Sequence, residues 1–244
     1  MDFKSPNIER THDLFYLKNN IHDYPKDAFI RVADLISNYK NKNKKKLTIV
    51  DIGCANGQFP SYLNTRFEKD NVLGYEYVEE LVSAARVSYP NIKFSQASIL
   101  DRSAISSSSC DVITLLGVLS IFDDIDPILS NLSHWIKPNG RVYIHGMFNP
   151  FDIDVFIKYR DSKKYAENIF ESGWNIISQT SIKRILEKYD SKFVKFHEFK
   201  ISCDLKKNSE DPVRSWTEKL QNGERQIVNG ICLKQPQYIL EAGF

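Results

Sequence analysis

The sequence predicts an α/β fold: a doubly wound, mostly parallel sheet with helices on both faces. Three observations predict it. Between residues 47 and 145, short β-branched runs alternate with segments of helical periodicity. The first run passes through a glycine-bearing loop directly into a helix. An acidic residue, Glu76, closes the second run, about 20 residues beyond Gly53.

Taken in order, Phe29, Val32, Ala33, Leu35 and Ile36 recur at three-to-four spacing and predict a helix over Asp27–Tyr39. The basic run Lys40–Lys46 then reads as a solvated linker, since no aromatic interleaves it. Strands are expected at Leu47–Val50, Asn71–Glu76, Ile92–Ser95, Asp111–Leu116 and Arg141–His145. Helices fall between them at Phe59–Arg66, Glu79–Ser88 and Asp126–Ile136, the last opened by Pro127 and closed by Pro138-Asn139-Gly140. Beyond residue 146 the rhythm breaks. Lys163–Glu171 and Ser181–Lys188 read as helices, the second capped by Thr180 or Ser181. Phe193–Leu205 reads as one long strand, residues 206–230 as a polar insertion, and Ile231–Leu233 and Tyr238–Ala242 as apolar runs.

The 244 residues, at about 150 per domain, allow one large domain or one and a half. A charged fraction of 26% and an aromatic fraction of 12% belong to a globular chain rather than a disordered one. The net charge of +2 provides no field to draw in nucleic acid or an anionic membrane. No run is long and apolar enough to span a bilayer, and the start lacks a signal-peptide layout. Cys54, Cys110, Cys203 and Cys232 lie far apart, so no zinc knuckle or disulfide framework is expected. These readings place the chain in the cytoplasm, with reduced thiols and no metal.

The chemistry concentrates in Val50-Asp51-Ile52-Gly53-Cys54-Ala55-Asn56-Gly57. Glycine is needed where the backbone turns tightly and must approach a ligand closely. A carboxylate at Glu76 suits the two hydroxyls of a ribose. A dinucleotide turn carries three glycines, G-x-G-x-x-G, whereas this loop reads G-x-A-x-G with Asp51 two residues ahead. An aspartate there repels a pyrophosphate and suits a cationic amino-acid group, which disfavours a nicotinamide dehydrogenase and fits S-adenosylmethionine.

Over residues 47–145 the chain resembles the class I S-adenosylmethionine-dependent methyltransferases. Asp51–Gly57 is similar to the first motif of that family, and Glu76 to its acidic ribose clamp. Phe94–Ile99 resembles the adenine-holding segment, Cys110–Leu119 the fourth strand and its turn, and Ile136–Gly140 the turn before strand five. The resemblance implies a seven-stranded Rossmann-like sheet and S-adenosyl-L-methionine as cofactor. It implies cofactor contacts at Tyr16, Asp51, Gly53, Cys54, Ala55, Gly57, Glu76, Tyr77, Ser98, Ile99 and Leu116. Two positions depart from the pattern: Ser98 stands where the family has aspartate, and Ala55 where it has the middle glycine.

Methyl transfer to a hydroxyl calls for a general base, for which His145, at the ligand edge of strand five, is the candidate. An acceptor that is already an anion needs cationic clamps instead. Arg214 and Arg225 suit that role, since guanidinium forks take phosphate or carboxylate bidentately. Asn149, Trp174 and Trp216 complete the expected acceptor lining, whereas Phe151–Phe156 reads as packing. The expected organisation is a single domain over 1–244: an N-terminal helical cap (1–46), a cofactor core (47–145) and C-terminal strands with an acceptor-site insertion (146–244). The expected activity is O-methylation of a small polar metabolite, a sugar or phosphate-type acceptor of surface polysaccharide or secondary metabolism. The alternatives are an RNA or protein methyltransferase, or a catalytically silent cofactor-binding subunit. The oligomeric state is not readable from the sequence.

Overall fold

The computed structural model describes Leu17, residues 25–43 and residues 45–244. Helix α1 (Asp27–Asn43) buries Val32, Ala33, Ile36 and Tyr39, the stripe that a 3.6-residue turn brings to one face. It runs past the expected end at Tyr39, because Asn43 Nδ2 donates to the Tyr39 carbonyl at 2.7 Å and Lys40 pairs with Asp70. Lys45 pairs with the buried Asp111 at 2.7 Å. The basic run is therefore part helix and tied to the amino edge of the sheet through Lys40 and Lys45, while residues 41–43, 45 and 46 stay exposed as expected of a solvated segment.

Strands β1 (Thr48–Ile52), β2 (Asn71–Glu76), β3 (Lys93–Gln96), β4 (Cys110–Leu116) and β5 (Ile136–Asn149) lie parallel in the order β3-β2-β1-β4-β5. The sheet continues through β12 (Gln237–Gly243), antiparallel to β5, to β9 (Phe193–Glu198), antiparallel to β12. This is the expected seven-stranded, mostly parallel sheet. A two-residue strand, β8 (Ile177–Ser178), adds to the end of β5. Helices α2 (Gln58–Arg66), α3 (Glu79–Ser88) and α4 (Asp126–Trp135) form the crossovers, and α5 (Gln179–Lys188) precedes β9.

Alternation along the strands builds a core on each face. Ile49, Val112, Tyr143 and Ile239 pack with α1 and α2 through Ile36, Phe59 and Leu63. Val50, Ile113, Ile144 and Leu240 point the other way, onto Leu129 and Trp135 of α4 and Ile182 and Leu186 of α5. Each fully buried large apolar side chain contributes about 1.5–3 kcal/mol. Burial on both faces, more than strand propensity, thus holds the centre of the sheet.

The C-terminal third departs from expectation. Residues 137–140 loop out within β5 where its register with β4 shifts, so Pro138-Asn139-Gly140 interrupts a strand as well as ending a helix. Lys163–Glu171 is not an α-helix: it holds a 3-10 turn, Ser162–Glu167, on a hairpin of β6 (Lys158–Tyr159) and β7 (Glu171–Ser172). Ser178, not Thr180 or Ser181, caps α5, its Oγ accepting from the Ser181 N–H at 3.1 Å. The long strand expected to reach Leu205 stops at Glu198. Within 206–230, β10 (Trp216–Lys219) and β11 (Arg225–Val228) form a separate antiparallel hairpin.

Candidate active site

The carboxyl ends of β1, β2 and β4 converge on the loop after β1. Its backbone turns through three left-handed residues, Gly53 (φ +70°), Ala55 (φ +47°) and Gly57 (φ +82°). A Cβ at Gly53 would lie 2.3 Å from Val118 Cγ2, and one at Gly57 would lie 2.8 Å from Phe94 Cζ. Sterics therefore demand glycine at both positions, while Ala55 tolerates its turn. Cys54 is buried with Val82, Ala85 and Phe94, and burial pushes its thiol pKa up. Its side chain packs, leaving only its backbone to face a ligand.

Two carboxylates stand under this loop. Glu76 Oε1 accepts from the backbone N–H of Tyr77 at 2.7 Å and of Val78 at 3.0 Å, and Oε2 accepts from the Ala55 N–H at 2.9 Å. The acid thereby fixes the glycine turn to the end of β2. Asp51 is buried and accepts from Thr114 Oγ1 at 2.7 Å. Burial pushes its carboxyl up to about 7, the Thr114 hydrogen bond opposes this, and the nearby charge of Glu76 adds to it. Asp51 has no ion-pair partner among the described residues.

Around the two acids, Tyr77 leaves its ring exposed just after Glu76. Ser98 Oγ accepts from the Leu100 N–H at 3.2 Å, which leaves its hydroxyl hydrogen and one lone pair for other partners. Ile99 turns its side chain into the core and its carbonyl to Asn131, so it offers no side chain to a ligand. Leu116 ends β4, followed by Gly117 (φ +76°), around whose hypothetical Cβ nothing lies within 4 Å. The edge of the sheet is open there.

His145 sits on β5 beside Leu116, with its ring edge-on to Phe199 at 4.7 Å. Its Nε2 is buried without a hydrogen-bond partner among the described residues, and burial holds its pKa down at about 4. It is neutral at physiological pH. Trp174, at φ +63°, adjoins Asn175, whose N–H donates to the Ser120 carbonyl after β4 at 2.9 Å.

Other expected acceptor residues are engaged locally. Asn149 closes its own turn, accepting from the Phe151 N–H and donating to the Ile153 carbonyl, which leaves one amide hydrogen and one lone pair for other partners. Arg225 Nε donates to Asp204 at 2.7 Å, which ties its guanidinium to the hairpin surface. Trp216 lies under Lys207 and donates to Glu218 at 3.3 Å. Arg214 is different: its charge lies close enough to Lys26 to help burial lower the lysine's pKa, which brings it towards the amino end of α1. There Phe29 packs on Phe59, two residues past Gly57, with ring centroids 4.7 Å apart. Tyr16 lies outside the described residues.

Sequence reasoning missed Thr114, although a polar residue inside the apolar run of β4 marked it. It also missed Asp123, which accepts from Lys158, from Ser172 Oγ at 2.7 Å and from Asn175 Nδ2 at 3.0 Å.

A sequence profile of the methyltransferase domain matches residues 24–195. The chain belongs to this family. Among its relatives is the malonyl-[acyl-carrier protein] O-methyltransferase of Halalkalibacterium halodurans, 24% identical over 70% of this chain. This chain spans 66% of that relative's length. Its fold is that of a SAM-dependent methyltransferase from Archaeoglobus fulgidus (14% identity, 96% of this chain and 100% of that one, TM-score 0.56). A second match, from Methanosarcina mazei, gives 12% identity, 86% and 96% coverage and a TM-score of 0.57. The class I resemblance read from the sequence is upheld, and with it S-adenosylmethionine, the cofactor of this family.

The residues present fit that cofactor. A buried Asp51 held high in pKa favours a cationic ligand group, the left-handed glycine turn brings backbone close, and the edge over Gly117 is open. Among the described residues, no group of three or more His, Cys, Asp or Glu is placed to hold a metal, and no helix is long and apolar enough to cross a membrane.

Proposed function

We propose that the chain transfers a methyl group from S-adenosylmethionine to an oxygen of a small polar acceptor, acting in the cytoplasm as a single domain. The observation that carries this reading is the juxtaposition, under a left-handed glycine turn, of Glu76 and an Asp51 whose charged form lacks a counter-ion among the described residues. Bound there, the cofactor supplies a methyl carbon made electrophilic by its sulfonium. Glu76 would take the ribose hydroxyls, Asp51 the cationic amino-acid end, and Tyr77 and Ser98 the adenine.

His145 is the group for the acceptor. Its Nε2 is buried here, so a hydroxyl acceptor would donate to it only once the packing over the ring opens, and the neutral nitrogen then takes the proton as positive charge leaves the sulfonium. With a pKa of about 4 it is a weak base, effective only as the oxygen loses its proton in the transition state. A phosphate or carboxylate acceptor needs no proton removed, and Arg214 with Lys26 would then hold its charge. The malonyl group in one relative's name carries a carboxylate, an anionic oxygen acceptor like a phosphate, and this supports the anionic variant rather than the sugar. The lysine-rich run does not favour an RNA substrate, because Lys40 and Lys45 already pair with Asp70 and Asp111.

The test is calorimetry with S-adenosylmethionine on wild type and Glu76→Gln. Binding by the wild type, weakened at least tenfold in the variant, supports the reading. Absence of binding at millimolar cofactor overturns it.

A further inference from the structure

Residues 150–176 form an arm whose polarity is inverted. Its polar side chains fasten it to the body. Asp152 accepts from Thr180 Oγ1, and Asp154 from the Ser178 N–H at 2.6 Å and Ser181 Oγ at 2.7 Å. Asn175 Oδ1 accepts from the Ile157 N–H at 2.7 Å, and its Nδ2 reaches the Phe122 carbonyl and Asp123 at 3.0 Å. Six of its large apolar side chains face solvent instead: Phe151, Ile153, Phe156, Tyr165, Ile169 and Phe170 are each more than half exposed, while Ile157 and Ile176 are buried. A surface of this kind on a well-fastened element marks a binding site.

Among these side chains stands one fixed cation. The Arg160 guanidinium lies 4.2 Å from the Tyr165 ring centroid and 5.0 Å from that of Phe170, and one Nη donates to Asn168 Oδ1 at 2.8 Å. No carboxylate lies within ion-pair distance of it among the described residues. Two rings and an amide thus set its plane in advance, leaving other N–H donors for an anion.

The geometry points to a binding site for an anionic amphiphile on this arm. Arg160 takes a phosphate or carboxylate, and the exposed aromatic and aliphatic side chains take an apolar chain. The arm is rooted on Ser120, Phe122 and Asp123, the turn after β4, and Arg160 lies three extended residues, about 10 Å, beyond Ile157. The ligand is the non-reacting part of the methyl acceptor, an assignment that rests on the methyl transfer proposed above and narrows its acceptor to one whose polar reacting end is joined to an apolar chain.

Dodecyl phosphate below its micelle concentration is the probe, titrated calorimetrically against wild type, Arg160→Gln and Ile169→Ser/Phe170→Ser. Inorganic phosphate and vesicles of phosphatidylcholine with phosphatidic acid form the comparison arms. All substituted side chains are at the surface, and thermal melts verify folding. The expected result is binding by wild type, roughly tenfold weaker in each variant and weaker still for inorganic phosphate. Equal binding by Arg160→Gln, equal binding of inorganic phosphate, or association with vesicles alone overturns the proposal, the last in favour of a membrane surface. S-adenosylmethionine titrations on the same proteins separate the two readings. Cofactor affinity stays unchanged in the variants, whereas loss of cofactor binding in wild type refutes methyl transfer without touching the amphiphile result.

Discussion

Protonation of Asp51 should compete with cofactor binding. Its carboxyl rises from 3.8 to about 7 on burial beside Glu76. Because the folded pKa is raised, the folded chain binds this proton more tightly than the unfolded one. The group's stabilising contribution is therefore complete below pH 3.8 and lost as pH rises to about 7. A shift of about three units corresponds to about 4 kcal/mol, the strain available for a bound cation to relieve. If the cation returns the pKa to its ordinary range, affinity for S-adenosylmethionine rises about fiftyfold from pH 5 to 7 and flattens above, with about 0.9 proton released per binding event at pH 6. Above about pH 8 the ligand's own α-amino group, with a pKa of about 7.7–8.0, loses its charge and affinity falls again. Calorimetry in two buffers of different ionisation enthalpy measures both quantities. S-adenosylhomocysteine, which lacks the sulfonium but keeps the ammonium, tells which cation Asp51 serves. Asp51→Asn should bind more weakly at pH 7.5 and lose the dependence between pH 5 and 7. A flat profile in wild type, or the same slope in Asp51→Asn, refutes the reasoning.

Four further substitutions have expected outcomes. His145→Phe fills the same space beside Phe199 and should leave cofactor affinity unchanged while lowering kcat on a hydroxyl acceptor. Because the folded pKa of His145 is depressed, the wild type loses stability as pH falls from about 6.5 towards 4, and the variant should lack that component in pH-dependent melts. Gly57→Ala meets Phe94 at 2.8 Å and should lower stability by about 1–3 kcal/mol in urea titrations. Gly117→Ala meets nothing within 4 Å and should cost about 1 kcal/mol, yet weaken ligand binding through the methyl it adds at the open edge. Asn175→Ala removes the amide that joins the Ile157 N–H to Asp123, at about 2–4 kcal/mol. It should raise the acceptor KM with the cofactor Kd unchanged, as steady-state kinetics beside calorimetry would show.

The core was legible because strands buried on both faces read as continuous apolar runs, as Asp111–Leu116 does. The cofactor edge was legible where backbone sterics leave a residue no alternative, at Gly53 and Gly57. It was not legible where a partner is chosen across the sheet. Thr114 meets Asp51 only because β1 and β4 pair in one register, between residues 63 apart in the chain. Arg225 and Trp216 read as ligand groups because Asp204 and Lys207, which engage them, lie on a neighbouring segment that no periodicity aligns, although Glu218, two residues from Trp216 on β10, shares its face of the strand.

The misreading of Phe151–Phe156 is the most instructive, because its physical reason bears on function. Phe-Asp-Ile-Asp-Val-Phe alternates like a strand with its apolar face inward. The amino end of α5 reverses it: the helix start needs acceptors, and Asp152 and Asp154 turn in to bond Thr180, Ser178 and Ser181. Capping of this kind returns about 0.5–2 kcal/mol per contact. Leaving Phe151, Ile153 and Phe156 exposed forgoes on the order of 1.5–3 kcal/mol for each, an upper estimate since each is partly covered. The capping contacts therefore offset much of this loss but not its upper range, and an apolar ligand that covers these side chains would recover the remainder. Arg160, held against two rings on the same arm, supplies the positive charge that complements an anionic ligand.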